Sequence, residues 1–317
     1  MKEILTDYYS AAQSALYEYL KKNIDSFNDK TLFKAIQINC INADDESTPS
    51  DVYARQCENL KDKLKTSIKS DDNTLWLATL LVEMNNENYD EIAYILYDKL
   101  DYDTIDPDLL KKLELLRRLS RLLYLNEDDK LIPALINLLE MDGLPLDFNW
   151  SGLLFEFYYM DDDTIDSDEH FLMAETVLQF QPDNFDALCF RAFLKTEASQ
   201  YLDALDCYLK CIEFSPSNHL AWMSMRIADV YLSLKEYEKV IDYSNQAIKC
   251  FEKFNKVGEN SHEKLFFSTV YTLRSQGFMG IQRYDLAMSD IERGLTFDDE
   301  HIHLTNLQEI VEKHLNK

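Results

Sequence analysis

Carboxylates dominate the reactive side chains of this sequence, and twice they fall in the same pattern. DYDTIDPD spans 101–108 and DDDTIDSD spans 161–168. Alternating carboxylates are the chemistry of a hard-cation loop. A twelve-residue calcium loop takes oxygen ligands at its first, third, fifth and twelfth positions, with glycine at the sixth. Counted from Asp101, the fifth, sixth and twelfth places hold Ile105, Asp106 and Lys112; counted from Asp161, they hold Ile165, Asp166 and Leu172. Both runs therefore fail as calcium loops. Their spacing is not a multiple of a helical-repeat period, so they do not mark a duplicated unit either. They read instead as helix starts. Asp106 is an N-cap with Pro107 at the first helical position, and Ile105 can staple to Leu110. Asp166 caps in the same way, with Glu169 completing a capping box.

The other reactive side chains form no recognisable site. His301 and His303 are two apart, a spacing that splits them between helix faces, and no H-E-x-x-H occurs. Cys207 and Cys211 share a helix face but read as core thiols, and His219 reads as a solvated turn residue. There is no C-x-x-C pair, no G-x-x-x-x-G-K-[ST] or G-x-G-x-x-G phosphate loop and no G-x-S-x-G elbow. The expectation is a non-enzyme with no metal and no cofactor.

The chain has 317 residues, with 58 acidic against 32 basic and a formal charge of −26. Such a surface repels phosphate backbones and anionic lipid, so nucleic acid and membrane are not expected partners. A protein or peptide is, and the charge favours a basic one. The stretch MKEILTDYYSAAQSALYEYLKK carries Glu3, Asp7 and Glu18 and lacks a signal-like apolar core. Cytoplasmic location with reduced thiols is the resulting expectation.

Only 6 Gly and 6 Pro occur, too few for a hairpin-rich β protein. Apolar residues recur three and four apart, as at Leu109, Leu113, Leu116, Leu119 and Leu123. The pattern predicts an all-α fold of about sixteen helices over 2–22, 29–40, 50–69, 73–85, 88–100, 107–125, 130–141, 149–159, 167–180, 185–198, 201–214, 219–234, 237–254, 261–279, 284–297 and 300–315. Pro133 falls in the first turn of the seventh. Short connections make neighbours antiparallel. Gly143 and Pro145 mark the best boundary, dividing 1–145, a divergent helical-pair domain, from 146–317.

Residues 187–218 read as helix, turn, helix and proline. Ala192, Ala204 and Cys211 stand where the two helices approach, Tyr201 opens the second helix, Tyr208 follows and Pro216 closes the unit. Ala228, Tyr237, Val240 and Ala247 repeat the pattern, and Ser275, Tyr284, Ala287, Ile291 and Gly294 repeat it again. Pro182 and Pro216 are 34 residues apart. This resembles the tetratricopeptide repeat family over roughly 167–298. Val240 and Ser244 depart from its alanine and aromatic, and CFEKFNKVGENSH lengthens one connection.

The resemblance implies an α-solenoid of stacked antiparallel helix pairs with a C-terminal capping helix. Its concave face, lined by the first helix of each pair, would bind a protein or peptide. Carried over in register, that groove would include Asp186, Cys189 and Phe193, then Trp222, Met225, Arg226, Asp229 and Leu232, then Thr269, Thr272 and Gln276. The chaperone-binding subgroup uses Lys and Asn where this chain has Cys189 and Phe193, so no carboxylate clamp is expected in this register. The function implied is a scaffold or adaptor. The charge also suggests an alternative, an acidic inhibitor or immunity-type protein masking a basic toxin or effector.

Overall fold

The computed structural model describes residues 2–42, 50–69, 71–124, 128–159, 167–215, 219–254 and 261–316. They form sixteen α-helices and no strand; one isolated bridge joins Phe27 and Ile68. The second acidic run over 161–166, the closing Pro216 and the stretch 255–260 lie outside the described residues. Contacts divide the chain into Met1–Glu156 and Phe157–Lys317, a division that falls within α8 (Trp150–Tyr159).

Met1–Glu156 contains α1 (Lys2–Lys22), α2 (Lys30–Asn42), α3 (Ser50–Ser67), α4 (Asp72–Asn85), α5 (Tyr89–Tyr94), α6 (Pro107–Tyr124) and α7 (Asp128–Leu139). Its packing is not sequential. α1 lies against both α4 and α6. Ala12, Leu16 and Leu20, four apart on α1, are fully buried. The Tyr9 hydroxyl donates to the Met84 carbonyl at 2.5 Å, and Gln13 pairs with Asn85. Farther along the chain, the Asn149 N–H donates to the Tyr8 hydroxyl at 3.1 Å, and the Tyr8 ring stacks on Phe148.

The first acidic run does what its capping residues predict. Asp106 accepts from the N–H groups of Asp108 (3.1 Å) and Leu109 (3.3 Å), and Pro107 opens α6. Asp101 caps a short 3₁₀ turn, accepting from Asp103 at 3.2 Å. Two local readings need correction. The helix read as 88–100 is α5 followed by a π-type turn over Ile95–Lys99. There the Tyr97 hydroxyl is held by the Arg117 carbonyl and that of Tyr102 by the Leu96 carbonyl. Pro133 is not in the first turn, because α7 starts at Asp128 and places it sixth. It leaves the carbonyl four residues before it without its usual N–H partner.

Phe157–Lys317 is a ladder. α9 (Ser167–Phe180), α10 (Phe185–Glu197), α11 (Tyr201–Phe214), α12 (Leu220–Ser233), α13 (Tyr237–Phe254), α14 (Ser261–Gly280), α15 (Tyr284–Phe297) and α16 (Ile302–Leu315) each pack on the next. α14 also touches α12 and α16, two steps away on either side. Small residues stand where helices meet: Ala192, Ala204, Cys211, Ala228, Ala247, Ser275, Ala287 and Gly294 are all fully buried or, for Gly294, in close contact. A Cβ on Gly294 would lie 2.7 Å from a Leu304 methyl. This is the helix-pair array of the tetratricopeptide type.

The turn within each pair is the same object three times. Ser199, Lys235 and Gln282 have φ of 58°, 61° and 62°. The N–H that follows each reaches back to the carbonyl five residues earlier: Gln200 to Lys195, Glu236 to Tyr231 and Arg283 to Phe278, at 2.8–3.0 Å. This is a Schellman closure made without glycine. A tyrosine opens the next helix two residues after each left-handed residue: Tyr201, Tyr237 and Tyr284. A fourth copy lies in Met1–Glu156. Glu87 has φ of 51°, Asn88 donates to the Glu83 carbonyl at 3.1 Å, and Tyr89 opens α5. The α4–α5 connection therefore carries the repeat's turn, although Leu80 and Ile92 stand in place of the small residues.

Candidate protein-binding face

The residues assigned to the groove lie on α10, α12 and α14, the first helix of each pair. Asn184 sets the start of α10, accepting from the Ala187 N–H at 2.9 Å. Asp186 and Cys189 follow within the first two turns, both partly exposed. The Cys189 thiol lies 3.5 Å from the Cys211 sulfur and 3.5 Å from the Met223 sulfur. Its hydrogen bond to Cys211, with burial, pushes the thiol well above the usual range. Phe193 meets Tyr158 of α8 edge to face at 5.4 Å.

On α12, Trp222 meets Phe266 of α14 edge to face at 5.2 Å, which ties two first helices together. Met225 is 4% exposed and belongs to the core. Leu232 is half-buried, and its carbonyl accepts from Lys235 in the turn. Arg226 is exposed and Asp229, three residues on, is half-buried. Burial holds the Asp229 carboxyl above its ordinary range, with Arg226 pulling it partly back. On α14, the Thr269 and Thr272 hydroxyls donate to the Leu265 and Ser268 carbonyls of their own helix, at 2.8 and 2.7 Å. Gln276 is partly exposed one turn farther on.

The arrangement thus joins Trp222 to α14 and Cys189 to Met223, and sets Arg226 within electrostatic reach of Asp229. What these side chains offer chemically is a mix of polar and aromatic groups on three first helices.

Several contacts carry no signal in the sequence because their partners are far apart in it. Arg274 forks onto Asp290 with two bonds, at 2.8 and 2.6 Å, and reaches Asn245 with its remaining nitrogen at 2.6 Å, clamping α13, α14 and α15. Arg191 of α10 pairs with Glu175 of α9 at 2.9 Å. A cavity of about 640 Å³ lies among α9, α10 and α11, bordered by Leu172, Glu175, Arg191, Lys210 and Phe214.

His301 accepts from the Leu304 N–H at 3.3 Å and caps α16, which accounts for one member of the H-x-H pair. Cys207 and Cys211 are buried, as a core reading requires. His219 is exposed, with its ring edge against Phe185. Among the described residues, no three His, Cys, Asp or Glu side chains are grouped to hold a metal. No described helix is long and apolar enough to cross a membrane.

No protein-family model matches the chain. A stretch of 100 residues is 33% identical to a DnaJ homolog subfamily C member 7 homolog from Dictyostelium discoideum. That match covers 32% of this chain and 16% of the other, so the chain spans about a sixth of the length of that relative. Among solved structures, the chain is similar to the first TPR of Spaghetti (RPAP3) bound to an HSP90 peptide. The identity there is 20% over 42% of this chain and 94% of the other, with a TM-score of 0.36. It is also similar to the APC/C hetero-tetramer Cut9–Hcn1, at 16% identity over 93% and 58% with a TM-score of 0.45. A third is the MamA protein, at 14% identity over 59% and 93% with a TM-score of 0.41.

Proposed function

We propose that this chain is a non-catalytic interaction scaffold or adaptor that holds a protein or peptide segment against the first helices of its repeats. What supports this reading is that Asp186, Cys189, Phe193, Trp222, Arg226, Asp229, Leu232, Thr269, Thr272 and Gln276 all lie on the first helices α10, α12 and α14, with Met225 buried among them. The sequence contains no H-E-x-x-H, no phosphate-loop pattern and no G-x-S-x-G to suggest a reaction.

Asp229 sharpens the reading. Burial disfavours its charged form, so the free protein holds that carboxylate at an energetic cost. A cation brought by a partner would remove the cost and be rewarded for it. The bound segment is therefore one with a basic side chain near an apolar one, the latter set against Trp222. Cys189 and Phe193 stand where a carboxylate clamp would need Lys and Asn, so a chaperone C-terminus is not the proposed ligand.

The test is capture with tagged protein from its own cells, eluted along a salt gradient, in parallel with Trp222→Ala and Asp229→Ala. A partner retained by the parent and lost by both variants supports the reading. A partner retained equally by all three overturns it.

The net charge of −26 favours a second reading, an acidic inhibitor that masks a basic protein. It requires one stoichiometric basic partner whose association slows steeply with salt. A neutral partner, or association indifferent to salt, excludes it.

A further inference from the structure

Three sulfur atoms from three consecutive helices converge inside the repeat array. Cys189 comes from α10, Cys211 from α11 and Met223 from α12. Cys211 and Met223 are each 3.5 Å from the Cys189 sulfur. Cys211 is fully buried and Met223 is 9% exposed, while Cys189 remains partly open to solvent. Helix packing explains one of these residues. The repeat needs a small side chain at 211, and alanine would serve there as it does at 247 in the next pair. Packing does not call for a second thiol beside it on α10, nor for a thioether on α12 against that second thiol.

We infer that Cys189, Cys211 and Met223 form a binding site for one Cu(I) ion. Two thiols and a thioether are soft ligands, and soft ligands select Cu(I) over the hard cations that carboxylates take. A soft metal at roughly 2.3 Å from each sulfur would set three sulfurs about 4 Å apart in a trigonal arrangement. The Cys189–Cys211 and Cys189–Met223 pairs need to part by only about half an ångström from their 3.5 Å spacing to admit it. On binding, the two thiols release their protons to solvent and the thioether gives up none. The site then holds two thiolates and one cation, a net charge of −1. Cys189 supplies the way in, since its side chain is the open edge of the group. Because the metal must displace both protons, affinity rises with pH. The site escapes detection by sequence spacing because no two of its ligands share a helix. It stands independently of the interaction reading.

The experiment is a titration of the full chain with Cu(I) in oxygen-free buffer, against bicinchoninate as a competing Cu(I) chelator. The thiolate-to-metal absorption band is followed, and the same titration with Zn(II) is the selectivity control. The parent should retain Cu(I) against the chelator, with one equivalent depending on these residues. Cys189→Ser and Cys211→Ala should each lose that equivalent. Cys211→Ala puts the repeat's own small residue in place, so it keeps the test valid if Cys189→Ser fails to fold. Met223→Leu should keep the band and weaken retention roughly ten- to a hundred-fold. No retention by the parent would overturn the inference, as would parental stoichiometry in a folded Cys211→Ala variant.

Discussion

Arg274 and Asp290 show how much a single side chain can determine. Their paired bonds join α14 to α15, and Asp290 is 5% exposed. Removing one partner leaves the other charge shielded from water without its counter-ion. Arg274→Ala is expected to lose about 3 kcal/mol in urea unfolding. Replacing both with apolar residues of similar volume should lose less than that single change, because no stranded charge remains.

Asp229 gives the opposite sign. Its folded pKa is raised by burial, so the contribution it makes to folding is present below the unfolded pKa and lost as pH rises through the folded value. Asp229→Asn should therefore melt higher than the parent at neutral pH, and the difference should disappear below about pH 4. Thermal midpoints at the two pH values check this.

The sequence announced the chemistry of neither residue. Their charges were visible, but the partners of Arg274 lie sixteen and 29 residues away. The burial of Asp229 depends on helices that no local pattern specifies. Capping was legible for the reverse reason: Asp106 and the N–H groups it satisfies are neighbours in the chain.

Elements were legible wherever a local pattern repeats. Three- and four-residue apolar spacing gave the helices, and the small-residue register gave the pairs over α10–α15. The fourth turn, at Glu87, shows the limit of that method. Its E-N-Y stretch ends in tyrosine as S-Q-Y, K-E-Y and Q-R-Y do in the others, but Leu80 and Ile92 keep it out of the small-residue register. Backbone geometry exposes it, because one left-handed residue closes each turn whatever packs beside it.

That geometry can be tested. A non-glycine residue in the left-handed region carries a steric cost that glycine does not. Lys235→Gly should be neutral or stabilising by up to about 1 kcal/mol, since the relief is offset by glycine's freedom in the unfolded chain. Lys235→Val should be destabilising by more than 1 kcal/mol, roughly, because a β-branched residue is a genuine outlier there. A second test is Gly280, where an added Cβ would lie 2.3 Å from the Tyr237 ring. Gly280→Ala should cost about 1 kcal/mol or more as the ring moves aside, despite alanine's better helix propensity. Chemical denaturation of the three variants decides.

The packing of α1 against α4 and α6 was not legible. An amphipathic stripe says that one face is buried but not which helices cover it.

For the molecule as a whole, the excess of acid is the plainest property, and composition alone revealed it. With a formal charge of −26, association with a basic partner should slow by roughly tenfold or more between low and high salt, because screening removes the steering field. A neutral partner held through apolar contacts should show little change. Stopped-flow association across a salt series tests the inhibitor reading, which salt-indifferent association excludes.

The central claim is that the first helices α10, α12 and α14 carry the binding surface. It is tested most directly by hydrogen exchange on the complex with the captured partner. The account predicts that new protection concentrates on Phe185–Glu197, Leu220–Ser233 and Ser261–Gly280. Protection confined to α9 and α11, or to the helices of Met1–Glu156, with these three unchanged, would contradict it.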